Sequence, residues 1–218
     1  MKRFTILMLT LTGVQCALGI TAPSTLLEMS HIYPMASLKK SVLLLVDYQN
    51  EYTSGRLPLW QIQETVQNSV ALLQLARRKG VPVIHVIHDG GRGGLFDLTS
   101  KNGQIIEAVK PLEAEPVIKK TFPSAFAGTE LFEALRKYPE RNQLIVAGLM
   151  THMCIASTVS SAIEHGYFTT IVASTTTTRG LKGPNGETIP AKIVKNSALA
   201  AVKDRFSLVL NIVEDLRD

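Results

Sequence analysis

The stretch Val42-Leu43-Leu44-Leu45-Val46, followed directly by Asp47, decides the fold of this chain. An unbroken apolar run of this length is typical of a strand that is covered on both faces, as in a parallel sheet. Ligands of such sheets bind beyond the carboxyl ends of the strands. The sequence therefore predicts a buried parallel strand that delivers the carboxylate of Asp47 to a binding crevice.

The same alternation of a short apolar run and a helical pattern continues along the chain, and it predicts a parallel sheet. The predicted fold class is α/β, a doubly wound, mostly parallel six-stranded sheet with helices on both faces, in a Rossmann-like three-layer sandwich. We predict strands at 42–46, 81–87, 117–118, 144–147, 168–173 and 206–210, and helices at 59–78, 129–138, 154–165 and 190–202, with a short helix around Glu107.

The composition indicates one globular domain and gives little support for nucleic-acid binding. The chain has 218 residues, of which 45% are hydrophobic and 19% are charged. These values allow a sizeable core and exclude a disordered polyelectrolyte. The formal charge of +5 falls to +3 without Lys2 and Arg3, because 21 basic and 18 acidic residues then remain. No basic stripe is interleaved with aromatic residues, so we expect no nucleic-acid partner.

Residues 1–22 are typical of an export signal. Two basic residues precede the apolar stretch 4–11, and small residues follow up to Ala22, where a signal peptidase can cut. The stretch is shorter than the roughly 20 residues that span a bilayer, so we expect an exported protein whose mature form has no membrane segment. A disordered or interfacial tail is the alternative. We assign residues 23–38 to an N-terminal arm or linker and 39–218 to the single domain.

Cys16 and Cys154 are the two cysteines of the chain. Cys16 follows Gln15, which is larger than the small residue expected before a lipidated cysteine, so a cleaved signal is the preferred interpretation. Cleavage leaves Cys154 as a lone thiol, which excludes an intramolecular disulfide. In an oxidising compartment a lone thiol needs an explanation. A protected catalytic nucleophile and a buried inert thiol both provide one.

Three reactive residue types follow three predicted strands. Asp47 follows the first, Lys119 and Lys120 follow the third, and Cys154 follows the fourth through a short turn. The pKa of a cysteine falls at a helix N-terminus and beside a cation, and the predicted helix 154–165 and a lysine supply both. Asp47 is suited to accept the thiol proton and to return it to a leaving amine. Together the three predict nucleophilic catalysis, although Asp47 alone is equally explained as a helix cap.

Three motifs in this order resemble those of isochorismatase-like hydrolases, and the similarity runs from about Val42 to Arg179. They are Val46-Asp47-Tyr48-Gln49-Asn50, then Lys120-Thr121-Phe122-Pro123-Ser124-Ala125-Phe126-Ala127-Gly128-Thr129, and finally Val146-Ala147-Gly148-Leu149-Met150-Thr151-His152-Met153-Cys154-Ile155.

The resemblance implies a doubly wound α/β fold and a catalytic triad of Asp47, Lys120 and Cys154. The spacing of Lys120 to the Ser-Ala-Phe part of its motif favours it over Lys119. The resemblance also implies a cis peptide bond between Leu149 and Met150, which turns the backbone N–H of Met150 towards that of Cys154. These two N–H groups then form the oxyanion hole for a tetrahedral intermediate.

The family includes metal-dependent members and members without the cysteine, and the residues here argue against both. Relatives that hydrolyse a vinyl ether can lack the cysteine, whereas Cys154 is present. Nicotinamidase-like members hold a metal through residues after the second strand. Here His85 and His88 lie three residues apart on the predicted strand and point to opposite faces, so we expect no metal and no cofactor.

The substrate pocket is expected to draw on loops near the triad. Relatives often have an acid five residues before the arginine that follows the fifth strand, and here that acid is replaced by Ser174. Turn formation and core packing are the alternatives for the pocket candidates, which are Gln49, Asn50, His88, Phe126, Thr151 and Arg179.

The predicted function is that of a metal-independent cysteine hydrolase. It cleaves an amide or a related C–N bond of a small molecule through an acyl-enzyme on Cys154, and the resemblance implies a homo-oligomer. The alternatives are a vinyl-ether hydrolase of the isochorismatase type and a non-catalytic secreted binding protein on the same fold. A thiol redox protein is disfavoured because no second cysteine can resolve a disulfide.

Overall fold

A computed structural model of the protein describes residues 24–30 and 33–218. The predicted export signal at 1–22, with Cys16, lies outside the described residues. The strands are β1 (Ser41–Val46), β2 (Val83–His88), β3 (Val117–Lys120), β4 (Gln143–Leu149), β5 (Phe168–Thr177), β6 (Leu181–Lys182), β7 (Thr188–Ile189) and β8 (Ser207–Leu210). The α-helices are α1 (Leu26–Ser30), α2 (Ile62–Arg78), α3 (Leu131–Leu135), α4 (Ala156–Glu164) and α5 (Ala191–Arg205).

Six strands form one parallel sheet in the order β3-β2-β1-β4-β5-β8. The strand order reverses between β1 and β4, and such a reversal opens a crevice at the carboxyl ends of the two strands. The remaining two strands, β6 and β7, form a separate antiparallel hairpin. The predicted doubly wound α/β class is confirmed.

The first strand, β1, is buried along its whole length, as its apolar run predicts. Leu43 and Leu45 belong to the core on one face of the sheet, together with Leu72 of α2. Leu44 belongs to the core on the opposite face, where Val159 of α4 packs. Two apolar layers therefore hold β1 in the centre of the molecule and fix the position of the residue that follows it.

Two predicted boundaries differ from the structure where the backbone leaves regular geometry. The helix predicted from residue 154 is preceded by a turn of π-helix at Thr151–Ile155, and the α-helix begins only at Ala156. The fifth strand runs four residues further than predicted, to Thr177, because its pairing with β4 shifts register across a bulge. A bulge adds unpaired residues and bends a strand, and apolar periodicity carries no sign of it.

The N-terminal arm is docked on the domain. Leu27 of α1 is buried, and the backbone N–H of Leu26 donates to Asp204 of α5. The Tyr33 hydroxyl oxygen lies 2.9 Å from the carbonyl oxygens of both Thr169 and Phe206, which are the two possible acceptors of its proton. Within the described ranges, none of the helices combines the length and the apolar character that crossing a bilayer requires.

Candidate active site

The three reactive side chains meet at the carboxyl edge of the sheet. Lys120 Nζ lies 2.8 Å from Asp47 Oδ2 and 3.4 Å from Cys154 Sγ. Asp47 is 0% exposed, Lys120 1% and Cys154 5%. A carboxylate, an ammonium and a sulfur from three distant stretches thus form one buried cluster.

Strand alternation decides which lysine enters this cluster. Along β3, Val117 and Lys119 are exposed, whereas Ile118 and Lys120 are buried. Successive side chains of a strand point to opposite faces, so Lys119 faces solvent when Lys120 faces the site. The structure therefore places Lys120 in the cluster and its neighbour outside it.

Asp47 is turned into the crevice by its backbone. It has a φ of +57°, which is uncommon for a residue other than glycine, although aspartate tolerates it. Its N–H donates to the carbonyl oxygen of Val86 at 2.8 Å, which ties the end of β1 to β2. Both carboxylate oxygens are buried without a well-aligned hydrogen-bond donor in the described part of the chain. The contact with Lys120 is therefore an ion pair that leaves the carboxylate free to take up a proton.

Burial dominates the electrostatics of the two acids in the cluster. Burial raises the pKa of the Asp47 carboxyl, and the ammonium of Lys120 opposes this shift only in part. Burial and then the charge of Asp47 raise the pKa of the Cys154 thiol to about 12, which outweighs Lys120. We expected a lowered thiol pKa, and this expectation is wrong in its net direction. A lysine and a helix start are visible in a sequence, whereas the depth of burial is not.

His88 completes the surroundings of Lys120. Its Nδ1 lies 3.3 Å from Lys120 Nζ, and the carbonyl oxygen of Phe122 accepts from the same ammonium at 3.1 Å. Burial, followed by the charge of Lys120, lowers the pKa of His88. A neutral imidazole accepts a hydrogen bond from the lysine, which restricts the ammonium to one position.

The turn that carries Cys154 has a special backbone. Gly148 has a φ of +150°, and the peptide bond between Leu149 and Met150 is cis. The N–H of Met150 donates no backbone hydrogen bond within the described ranges. The hydroxyl oxygens of Thr151 and Thr176 lie 2.8 Å apart, and this hydrogen bond holds the turn against β5.

Gly148 has no room for a side chain, so Gly148→Ala is expected to lower the free energy of unfolding by about 3 kcal/mol. A Cβ at this position would lie 2.2 Å from the carbonyl oxygen of Val46, which is backbone of the central strand. Chemical denaturation measures the loss. Gly80→Ala is the control, because Gly80 has a φ of +63° and no atom within 4 Å of the added Cβ. Equal losses in the two variants would contradict the steric argument.

Three of the pocket candidates make contacts with other parts of the protein. The Gln49 amide donates to the carbonyl oxygens of His88 and Gly103 and accepts from the His88 N–H, at 2.8–2.9 Å, so it is a bridge between loops. Asn50 donates to the carbonyl oxygen of Lys101. The Phe126 ring stacks on His165 with centroids 4.7 Å apart, in the core. The pocket roles of the three residues stay predictions.

Arg179 lies two residues beyond the end of β5, and Ser174 lies in the bulged part of that strand. The Arg179 Nη1 donates to the carbonyl oxygen of Gly180 at 3.3 Å, while its Nε is buried without a partner in the described chain. The Ser174 hydroxyl is likewise buried without one. Arg179 follows Thr178, whose hydroxyl lies 2.5 Å from His152 Nδ1 in the turn that carries Cys154.

Sequence reasoning missed the residues that cover the site. The Phe96 ring packs on Tyr52 and on His88, with centroids 4.9 and 5.4 Å apart. Glu51, which is 1% exposed, accepts from the backbone N–H groups of Phe96 and Arg56. The glycine-rich loop that ends at Phe96 is thereby held over the cluster. Glu51 and Tyr52 follow Asp47 closely in the sequence, and this proximity was the signal that could have identified them as neighbours of the site.

The two histidines of β2 diverge, as strand alternation predicts. His85 Nε2 lies 3.0 Å from Glu115 Oε2, which also binds Arg77, whereas His88 faces Lys120. Within residues 24–30 and 33–218, no group of three or more His, Cys, Asp or Glu is arranged to hold a metal ion.

The pattern of the isochorismatase domain family matches residues 41–185 of the chain. The chain belongs to the isochorismatase family. The family match covers β1 to β5 and all three residues of the buried cluster. The predicted family is confirmed.

Similar proteins of the isochorismatase family come from several organisms. The chain is 36% identical over 172 residues to the family protein YddQ of Bacillus subtilis, covering 78% of this chain and 94% of that protein. It is 30% identical to the secreted isochorismatase effector Isc1 of Verticillium dahliae, covering 81% and 90%. The crystal structure of an isochorismatase from Pseudomonas putida KT2440 superimposes with a TM-score of 0.85 at 38% identity, covering 89% and 100%.

Other relatives are named as hydrolases. One is a maleamate amidohydrolase of Pseudomonas putida, 30% identical over 151 residues, which cover 62% of this chain and 70% of that protein. Another is a streptothricin hydrolase of Streptomyces noursei, 28% identical over 169 residues, which cover 77% and 61%. We class the chain with these hydrolases.

Proposed function

We propose that the chain hydrolyses an amide or a related C–N bond of a small molecule, with Cys154 as nucleophile, Asp47 as proton shuttle and Lys120 as the fixed positive charge. The observation that carries the proposal is the buried cluster, in which Lys120 Nζ contacts both Asp47 Oδ2 and Cys154 Sγ within 3.4 Å. The maleamate amidohydrolase among the relatives supports the same reaction class.

The first half of the reaction forms an acyl-enzyme. Because the pKa of Cys154 is raised to about 12, the resting nucleophile is a thiol, and Asp47 takes its proton as Sγ attacks the carbonyl carbon. The C–S bond forms while the carbonyl π bond breaks, and the oxygen becomes an oxyanion. The N–H groups of Met150 and Cys154 bind this oxygen, and Lys120 balances the charge of the cluster.

The second half releases both products. The tetrahedral intermediate collapses, the C–N bond breaks, and Asp47 donates its proton to the leaving nitrogen. A thioester on Cys154 remains. Asp47 then takes a proton from water as the water oxygen attacks the thioester. The C–S bond breaks, and Asp47 returns the proton to the departing sulfur, which regenerates the thiol and the carboxylate. The products are an amine or ammonia and a carboxylic acid.

Release of ammonia or amine from a panel of amides tests this function. The wild-type chain is expected to hydrolyse at least one nicotinamide, carbamoyl, formyl-amide or maleamate-type substrate, and Cys154→Ala is expected to lose at least about 10⁴-fold in kcat/KM, because no other group forms the acyl-enzyme. Mass spectrometry of a rapidly quenched reaction is expected to show the acyl group on Cys154. Turnover that survives Cys154→Ala would exclude the thioester mechanism.

Hydrolysis of a vinyl ether of the isochorismate type is the second candidate. The raised pKa of Asp47 suits a group that donates a proton, and the relative Isc1 is named an isochorismatase effector. Cys154→Ala separates the two candidates, because protonation by Asp47 alone does not need the thiol. Isochorismate turnover that persists in Cys154→Ala and disappears in Asp47→Asn would favour this second function.

We also propose that the chain is exported, which the secreted relative Isc1 supports. Expression of the full chain with a C-terminal tag, followed by N-terminal sequencing of the secreted product, tests this. A mature N-terminus near residue 23 is the expected result. Retention of Met1 on the secreted protein would contradict cleavage.

A further inference from the structure

The ammonium of Lys120 is surrounded by more acceptors than it has protons to donate. Among the described residues, its Nζ lies 2.8 Å from Asp47 Oδ2, 3.1 Å from the carbonyl oxygen of Phe122, 3.3 Å from His88 Nδ1 and 3.4 Å from Cys154 Sγ. A lysine ammonium has three N–H donors. The two oxygen atoms are the nearest neighbours, so His88 and Cys154 share the remaining N–H.

The fold holds His88 where it can accept this third proton. His88 pairs with Lys120 in the register of the neighbouring strands β2 and β3. Its backbone N–H donates to the Gln49 side chain and its carbonyl oxygen accepts from the same amide, at 2.9 Å each. The Phe96 ring packs edge-on against the imidazole, with centroids 5.4 Å apart. These contacts fix both the backbone and the ring of His88 beside the ammonium.

The surroundings of His88 favour a neutral imidazole. Burial and then the charge of Lys120 lower its pKa, whereas the charges of Asp47 and Asp89 oppose this shift. The Phe96 ring, which packs on the imidazole from the glycine-rich loop, carries no charge. A neutral imidazole with its proton on Nε2 has Nδ1 free as an acceptor. His88 is thus suited to receive the third N–H of Lys120.

The two acceptors that share this N–H differ in strength, and the difference depends on the protonation of the sulfur. A thiol is a weak acceptor, whereas a thiolate accepts a charge-assisted hydrogen bond. The N–H of Lys120 therefore points to His88 while Cys154 is protonated, and it turns to the sulfur when the thiolate forms. Ionisation of Cys154 thus requires that the hydrogen bond to His88 is given up.

We propose that His88 is a positioning residue, which competes with Cys154 for the third N–H of Lys120 and thereby favours the protonated form of the resting sulfur. This inference deepens the proposed function, because it concerns the same nucleophile. Burial and the charge of Asp47 are the largest causes of the raised thiol pKa, and the competition adds to them. His88 acts on the sulfur only through Lys120.

The pH profile of carbamidomethylation at Cys154 tests the competition. The variants are made in the Asp47→Asn chain, because the charge of Asp47 raises the pKa of the thiol and its loss brings the midpoint of the profile to a milder pH. His88→Leu removes the acceptor, and we expect the midpoint to fall by about one pH unit, which gives about tenfold more thiolate below the midpoint. His88→Asn places a side-chain oxygen at the position of Nδ1 and is expected to move the midpoint by less than about 0.3 units. His165→Leu replaces an exposed histidine that stacks on Phe126, and this control is expected to leave the midpoint unchanged.

The midpoint of the profile separates thiol ionisation from access to the sulfur. A wider path to the sulfur raises the plateau rate and leaves the midpoint where it was. An unmoved midpoint in His88→Leu, or an equal fall in His88→Asn, would overturn the proposal. ¹⁵N NMR of the His88 imidazole in the unaltered chain is a second test that needs no substitution. We expect a neutral ring with its proton on Nε2 at neutral pH, and a proton on Nδ1 would also overturn the proposal.

Neither measurement needs turnover, so the role of His88 and the proposed function can fail separately. If the midpoint falls as expected while the wild-type chain releases no ammonia or amine from any amide, the role of His88 stands and the amidase function falls. If the wild-type chain hydrolyses an amide through Cys154 while the midpoint does not move in His88→Leu, the function stands and the role of His88 falls.

Discussion

Asp47→Asn is expected to abolish amide hydrolysis and, at the same time, to make Cys154 react faster with iodoacetamide. The carboxylate is the proton shuttle of the proposed mechanism, and loss of general acid–base catalysis costs about 10²–10⁴-fold in rate. Yet the charge of Asp47 also raises the pKa of the thiol, while Lys120 lowers it. Without the carboxylate the ammonium is free to pair with a thiolate. Each unit by which the thiol pKa falls increases the thiolate fraction at neutral pH about tenfold.

Two measurements on the Asp47→Asn variant test these two opposite effects on turnover and on thiol reactivity. Ammonia release gives the loss of turnover, and the rate of carbamidomethylation at Cys154, followed by mass spectrometry across pH, gives the change in thiol pKa. The midpoint of the alkylation profile is expected near 12 in the wild-type chain and at a lower pH in the variant. Glu164→Gln, an exposed carboxylate at the end of α4, is the control. Alkylation that is unchanged or slower in Asp47→Asn would contradict the electrostatic account.

Lys120→Met is expected to destabilise the fold by about 3–5 kcal/mol at neutral pH, because it leaves Asp47 as a buried charge without a partner. The pKa of Asp47 is already raised above its ordinary 3.8 by burial, and Lys120 opposes that shift. Removing the lysine raises the pKa further. A carboxyl whose folded pKa exceeds its unfolded pKa is most favourable to folding below the unfolded value, and this contribution is lost as pH rises through the folded value.

The destabilisation by Lys120→Met should therefore be smallest at acidic pH and grow towards neutrality. Urea denaturation at a series of pH values measures the difference in unfolding free energy between variant and wild type. Lys119→Met, the exposed neighbour on β3, is the matched control and is expected to change stability by less than about 0.5 kcal/mol. A pH-independent loss in Lys120→Met would show that packing, and not the unpaired carboxylate, is its cause.

Periodicity predicted most of the sheet and the elements that carry the three reactive residues. The apolar run of β1 is buried on both faces, and alternation along β3 separates Lys120 from Lys119. Both results follow from the two-residue period of a strand, which is a local property. The positions of Asp47 and Cys154 after neighbouring strands follow from the parallel order, which is also visible in the alternation of elements.

Periodicity did not predict the raised pKa of the Cys154 thiol or the contacts of Glu51 and Tyr52 with the loop that ends at Phe96. A turn of π-helix precedes α4, so Cys154 does not stand at the start of the α-helix, and its pKa rises because burial outweighs the nearby ammonium. Glu51 and Tyr52 acquire their places only when the loop ending at Phe96 closes on them. These are contacts between segments more than forty residues apart, and they depend on three-dimensional packing.

The deep burial of Cys154 has a consequence for the resistance of this residue to oxidation. Peroxide and other oxidants attack the thiolate, and they convert it first to sulfenic and then irreversibly to sulfinic acid. A cysteine that is 5% exposed, and whose thiol pKa is raised to about 12, offers such reagents almost no target. In the proposed mechanism, the cluster that delays ionisation of the thiol until a substrate carbonyl is bound also protects the sulfur from oxidation between turnovers.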